Sequence, residues 1–175
     1  MKTITIPAAE LFDESTNEYI YTKETTIKIE HSLVSVSKWE AKWETPFLSA
    51  KMTREQSIDY IRCMTITQNV DPNIYKVIPT STLNEVNKYI DSKQTATWFN
   101  DKKNGPHRQR TVTSELIYYW MIACGIPFEC EKWHLNRLVT LIRVCQEESK
   151  PSKQMTLEER KALNNARRQK YRTKG

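Results

Sequence analysis

Glycine is nearly absent from this chain: its 175 residues include only Gly105, Gly125 and Gly175. Phosphate cradles and dinucleotide fingerprints use several glycines in one turn, because a Cβ would keep the backbone from approaching a phosphate. A P-loop or Rossmann fingerprint is thereby excluded. Long apolar runs are missing too. No stretch approaches the roughly 18 apolar residues of a membrane span, so none is expected. Met1-Lys2-Thr3-Ile4 opens without an apolar run or small-residue cleavage site, so no signal peptide is expected. The four cysteines, Cys63, Cys124, Cys130 and Cys145, are irregularly spaced in apolar or helix-like surroundings. They are expected to be reduced core thiols rather than a disulfide framework.

Net positive charge is confined to one segment. From Lys150 to Gly175 nine Lys or Arg face two acids, a balance of +7, while the whole chain carries +6. The difference leaves Met1 to Ser149 at −1. The pI of about 9.1 therefore describes a tail and not a basic domain. The hydrophobic share is a modest 38%, but five Trp and eight Tyr supply large buried areas. The body is long enough for one domain with a core of its own.

The period of the apolar pattern changes once. Thr3–Ile6, Glu18–Tyr21 and Thr26–Glu30 alternate with period two, around a turn-like Asp13–Asn17, and predict a small antiparallel sheet or ribbon. From Ser32 the spacing is helical. Ser32 caps a helix carrying Leu33, Val36, Trp39 and Trp43, which Pro46 ends. Thr53 and Gln56 form a capping box for a helix with Ile58, Ile61, Cys63 and Met64. Pro72 opens a short helix toward Ile78, and Ser81 caps another with Leu83, Val86, Tyr89 and Ile90. Thr95–Phe99 has no clear type, and Asn100–Arg110 is the best loop in the body. Thr113 caps an apolar helix through Cys124, Gly125 stands at its C′ position, and a further helix spans about Glu129 to Cys145. This helical hairpin, with Trp120 and Trp133 largely buried, is expected to form the core.

The predicted fold is thus α+β, mainly α. Residues 1–149 form a single globular domain, β-rich over 1–30 and helical over 31–149. Residues 150–175 form a basic C-terminal tail, with a linker at Lys150–Gln154 and partial helix or disorder beyond Thr156.

Few constellations suit chemistry. Cys130 and His134 stand four apart, with Cys124 nearby, but structural zinc favours pairs two to four residues apart. No metal site is expected. Cys130 or Cys145 with His134 or His31 would make a nucleophile pair, yet Glu129 and Glu131 flank Cys130 and disfavour its thiolate. The acid pairs Asp13/Glu14, Glu129/Glu131, Glu147/Glu148 and Glu158/Glu159 suit solvated faces or first helical turns better than a cleft. No catalytic residue and no cofactor is expected. Trp39, Trp43, Trp98, Trp120 and Trp133 fit core packing better than a base-stacking platform. Part of the set also suits a protein interface. In the tail, Arg160, Lys161, Arg167, Arg168, Lys170, Arg172 and Lys174 are the partner-binding candidates. Phosphates, an acidic protein groove and plain solvent all remain open as their surroundings.

Five strings are distinctive: Glu30–Glu40; Asp59–Met64 with Gln68–Pro72; Thr95–Phe99; Thr113–Met121 with Ile126–Cys130 and Trp133–Leu138; and Asn164–Arg168. Together they resemble a family of small proteins from long-tailed bacteriophages (siphoviruses) and related prophages, over nearly the whole chain from about Ile4. In such phages the family looks like a tail-morphogenesis protein encoded close to the tape measure protein. The resemblance implies a non-enzymatic tail assembly chaperone that keeps the tape measure protein soluble in the host bacterial cytoplasm. The implied partners are the tape measure protein or other tail proteins, with self-association and nucleic acid as further options, and no membrane. A helical body rich in Trp, Tyr and Met suits grooves for amphipathic helices.

Overall fold

Alternating Ile and Thr build an N-terminal ribbon in the computed structural model, which describes residues 1–13, 17–97, 99, 111–149 and 157–171. Strand β1 (Lys2–Ile6) pairs antiparallel with β4 (Thr25–Ile29), and β2 (Ala9–Asp13) with β3 (Glu18–Thr22). The two ladders share one register. Ile6 lies opposite Thr25 and, three residues on, Ala9 lies opposite Thr22. One long hairpin is therefore interrupted at Pro7-Ala8 and Lys23-Glu24, and Pro7 has no N–H to give the ladder. β2 was not expected from the sequence. Ala and acidic residues are poor strand formers, and its partner holds it in place.

α1 (Leu33–Trp43) starts at Ser32, whose Oγ accepts from the Ser35 N–H at 3.3 Å while Ser35 Oγ accepts from the Ser32 N–H at 2.9 Å. It ends at Glu44, in the left-handed region with φ 49°, before Pro46 is reached. A 3-10 turn, Phe47–Ser49, follows. α2 (Arg54–Met64) has the expected Thr53–Gln56 capping box. A second 3-10 turn covers Pro72–Tyr75. α3 (Thr80–Ile90) begins after Pro79 and not at Ser81, because the Leu83 N–H already donates to the Pro79 carbonyl at 3.1 Å.

α4 (Ser114–Ala123) closes in a Schellman motif: Ile126 N–H donates to Met121 O at 2.9 Å and Gly125 N–H to Ile122 O at 3.1 Å. Gly125 there has φ 64°, so an alanine would be strained although its Cβ would meet nothing within 4 Å. The helix expected over Glu129–Cys145 is two elements, a 3-10 turn at Phe128–Lys132 and α5 (Leu135–Glu148). The break comes from a distant partner. His134 bridges to Ser32, and the Leu135 N–H donates to the His31 carbonyl at 2.7 Å. α6 (Leu157–Tyr171) is a 15-residue helix, so most of the tail beyond Thr156 takes the helical alternative.

The molecule is α+β and mainly helical. It divides into two compact units, Met1–Cys145 and Gln146–Gly175. In the first, α1 is the hub, against α2, α4 and the 3-10 turns at Phe47–Ser49 and Phe128–Lys132. Leu33, Val36 and Trp39 are fully buried, with Ile4, Ile6, Ile27 and Ile29 from the ribbon and Tyr60, Ile61 and Met64 from α2. The expected hairpin gives the core Ile117, Met121, Leu135, Leu138 and Ile142, but its indoles are corrected: Trp120 and Trp133 are half-buried, and among the described residues Trp39 is the enclosed one. Among the described residues no helix is long and apolar enough to cross a membrane. Asn100–Arg110, Trp98 and the Lys150–Gln154 linker lie outside the described residues.

Candidate functional site

A groove of about 580 Å³ opens on the face shared by α1, α2 and the Pro72–Tyr75 turn. Its residues come from three short stretches. The last turn of α1 gives Lys42 and Trp43. α2 gives Arg54, Glu55, Ile58, Asp59 and Arg62, whose three- and four-residue spacing puts them on one face. Pro72, Tyr75 and Lys76 close the far wall. The opposite face of α2, with Tyr60, Ile61 and Met64, is in the core, so α2 is fixed from behind.

Trp43, Ile58, Pro72 and Tyr75 make the floor apolar. Asp59 organises one wall: Lys42 Nζ donates to Oδ1 at 2.5 Å and Trp43 Nε1 to Oδ2 at 2.8 Å. These bonds hold the indole in place, with the Lys42 ammonium 5.4 Å from its ring centroid. On the other side Arg54 donates to the Ile78 carbonyl at 3.1 Å. The Tyr75 hydroxyl donates to Thr65 Oγ1 at 3.0 Å. Four cations and two acids form the rim, and one of those acids, Asp59, is already satisfied. Such a groove takes up apolar side chains and favours acidic flanks. It has no nucleophile beside a base. Cys63, behind it, has its thiol pushed up by burial first and by Asp59 second, so it is not a thiolate.

Sequence reasoning missed a second polar cluster, which is buried. His31 Nδ1 and the Tyr60 hydroxyl lie 2.5 Å apart, with Ser35 Oγ 3.2 Å from that hydroxyl. The His31 and His134 rings meet edge-on, centroids 5.0 Å apart. His134 Nε2–H donates to the Tyr89 carbonyl at 3.1 Å, and its Nδ1 accepts from the Asn136 N–H at 3.3 Å. An accepting Nδ1 fixes the neutral tautomer. Burial, then the neighbouring His134, lowers the His31 pKa to about 3; burial also lowers that of His134. Two neutral histidines packed ring to ring and almost inaccessible to solvent knit β4, α1, α2, α3 and α5 together.

Glu40 was missed as well. This buried carboxylate accepts from the Phe47 N–H at 2.8 Å and from the Ser114 N–H at 2.7 Å, joining α1 to the first turn of α4. Its neighbours in sequence, Trp39 and Ala41, carry no signal of that role.

The other candidates are dispersed. Cys130 is buried in its 3-10 turn and does not share a helix face with His134, which corrects the four-residue spacing read from sequence. Among the described residues no three His, Cys, Asp or Glu side chains gather to hold a metal. Cys63, Cys124, Cys130 and Cys145 form no disulfide among the described residues. Trp43 lines the groove and Trp133 stacks under the Arg137 guanidinium, 4.3 Å from its centroid. In α6, Arg160, Lys161, Arg167 and Arg168 are exposed, and the seven-residue repeats put them on two adjoining stripes. Lys170 lies in the same helix, and Arg172 and Lys174 lie outside the described residues. No protein-family model matches this sequence, and neither curated proteins nor solved structures provide a match.

Proposed function

We propose that the protein is a non-enzymatic binding module of a long-tailed bacteriophage: a tail assembly chaperone that holds an amphipathic helix of the tape measure protein in the host cytoplasm. One observation carries this reading, the open groove floored by Trp43, Ile58, Pro72 and Tyr75. Its volume of about 580 Å³ accommodates two or three apolar side chains from successive turns of a helix. A tape measure protein is long, helical and apolar-striped, and it aggregates unless such stripes are covered. The cationic rim favours a helix with acids beside its stripe.

The test is co-expression of the full chain with the tape measure protein. The tape measure protein is expected to become soluble and to co-purify, and Trp43→Ala is expected to weaken that recovery. A tape measure protein that stays insoluble would contradict the proposal. The exposed cations of α6 favour a second reading, binding of nucleic acid through Arg160, Lys161, Arg167 and Arg168. Salt separates the two, because phosphate contacts weaken steeply with salt and burial of an apolar helix does not.

A further inference from the structure

The outer half of the ribbon presents a row of aromatic rings to solvent. Phe12 is 43% exposed, Tyr19 60% and Tyr21 71%. Phe12 and Tyr19 are cross-strand partners with centroids 5.0 Å apart, and Tyr19 and Tyr21 follow at 6.4 Å. By strand alternation Glu10, opposite Tyr21, stands on the same face. The Tyr21 hydroxyl donates to the Glu10 carboxylate, so rings and charge form one surface. Packing does not need these rings, since the ribbon's other face, with Leu11, Ile20 and Thr22, is the half-buried to buried one.

Two further facts define the occupant. Residues 9–24 carry five acids against the single base Lys23, so this arm repels phosphate. Among the described residues no third strand pairs with β2 or β3, whereas the outer edge of β4 is covered. There the Ile66 N–H donates to Lys28 O at 2.8 Å and the Lys28 N–H to Thr67 Oγ1 at 2.8 Å. Flat aromatic faces beside carboxylates suit guanidinium and ammonium groups, which stack on the rings while pairing with the acids.

We propose that the Glu10–Phe12–Tyr19–Tyr21 face docks a basic polypeptide segment of a partner protein, its Arg and Lys side chains laid across the three rings. This site is separate from the α1–α2 groove and stands whether or not the groove binds a tape measure helix.

The experiment uses the full chain and a labelled peptide of alternating arginine and serine as the probe. A glutamate–serine peptide and a single-stranded thymidine oligonucleotide serve as comparisons. The arginine peptide is expected to shift the ring resonances of Phe12, Tyr19 and Tyr21, and the comparisons are not. Replacing the three rings together by alanine is expected to weaken binding by about tenfold or more, with the melting temperature nearly unchanged. Glu10→Gln should weaken binding less and reduce its salt dependence. Unmoved ring resonances, undiminished binding by the triple variant or equal binding of the oligonucleotide would each overturn the proposal. Should the triple variant unfold, the ring resonances of the wild-type chain decide alone.

Discussion

The inner and outer halves of the ribbon share one register but turn opposite faces to the body. In β1 and β4 the stripe of Ile4, Ile6, Ile27 and Ile29 is buried. Continued by alternation past Pro7-Ala8, the same stripe becomes Glu10, Phe12, Tyr19 and Tyr21, and there it faces water. Thr22, on the other side, is the buried residue of the outer half, its hydroxyl donating to Ala9 O at 3.1 Å and accepting from Ala9 N–H at 3.2 Å. Both halves are antiparallel ladders, although β2 has the weaker strand formers. What differs is whether helices lie over the stripe. The inner half is thus a structural element and the outer half a surface.

The largest expected effect sets that difference in numbers. Ile27→Ala should cost roughly 2–5 kcal/mol, because it opens a cavity in the buried core. Tyr19→Ala should cost no more than about 1 kcal/mol, the worth of one exposed cross-strand pair. Urea denaturation of the two variants side by side checks this, and equal losses would erase the distinction.

Glu40→Ala is expected to have an effect of comparable size. It orphans two buried N–H donors, of Phe47 and Ser114, at roughly 1–3 kcal/mol each. Glu40→Gln keeps one acceptor and should lose less. If both variants melt with the wild type, the carboxylate does not join α1 to α4.

Acid should also act on the inner half first. His31, directly after β4 and Glu30, has a folded pKa of about 3 against an ordinary 6.5. Its neutral form is the folded one, so its contribution is complete above about pH 6.5 and fades as pH falls from there toward 3. The expected slope is about 1.4 kcal/mol per pH unit for His31, with His134 adding in the same direction. Denaturation midpoints at stepped pH from neutral to 5 read this before most carboxylates titrate. A flat profile would show that the histidines charge without disturbing the fold.

The smallest expected effect is removal of residues 150–175. Every described side chain in α6 is exposed, so the melting temperature should shift by only a few degrees. Unfolding on truncation would make α6 part of the body.

Local signals were legible where local chemistry decides. Ser32 and Thr53 start helices because their hydroxyls reach N–H groups three residues away, and Gly125 ends one because only glycine adopts its conformation without strain. Distant contacts were not legible. The Glu129–Cys145 periodicity is real, but pairing of His134 with Ser32 breaks it. Trp120 and Trp133 sit in the most apolar segments yet are half-buried, because burial depends on what packs across from them. The groove was hidden for the same reason. Trp43, Ile58 and Tyr75 meet only after α1, α2 and the Pro72–Tyr75 turn have packed. The exposed α6 cations were legible as a charge run, though not their helical stripes.

Hydrogen exchange of the full chain, alone and with a soluble helical segment of the tape measure protein, tests the proposed function most directly. Added protection is expected around the groove, at Lys42–Trp43, Arg54–Arg62 and Pro72–Lys76, and should survive high salt. Protection confined to Leu157–Tyr171 and lost at high salt, or no protection anywhere, would contradict it.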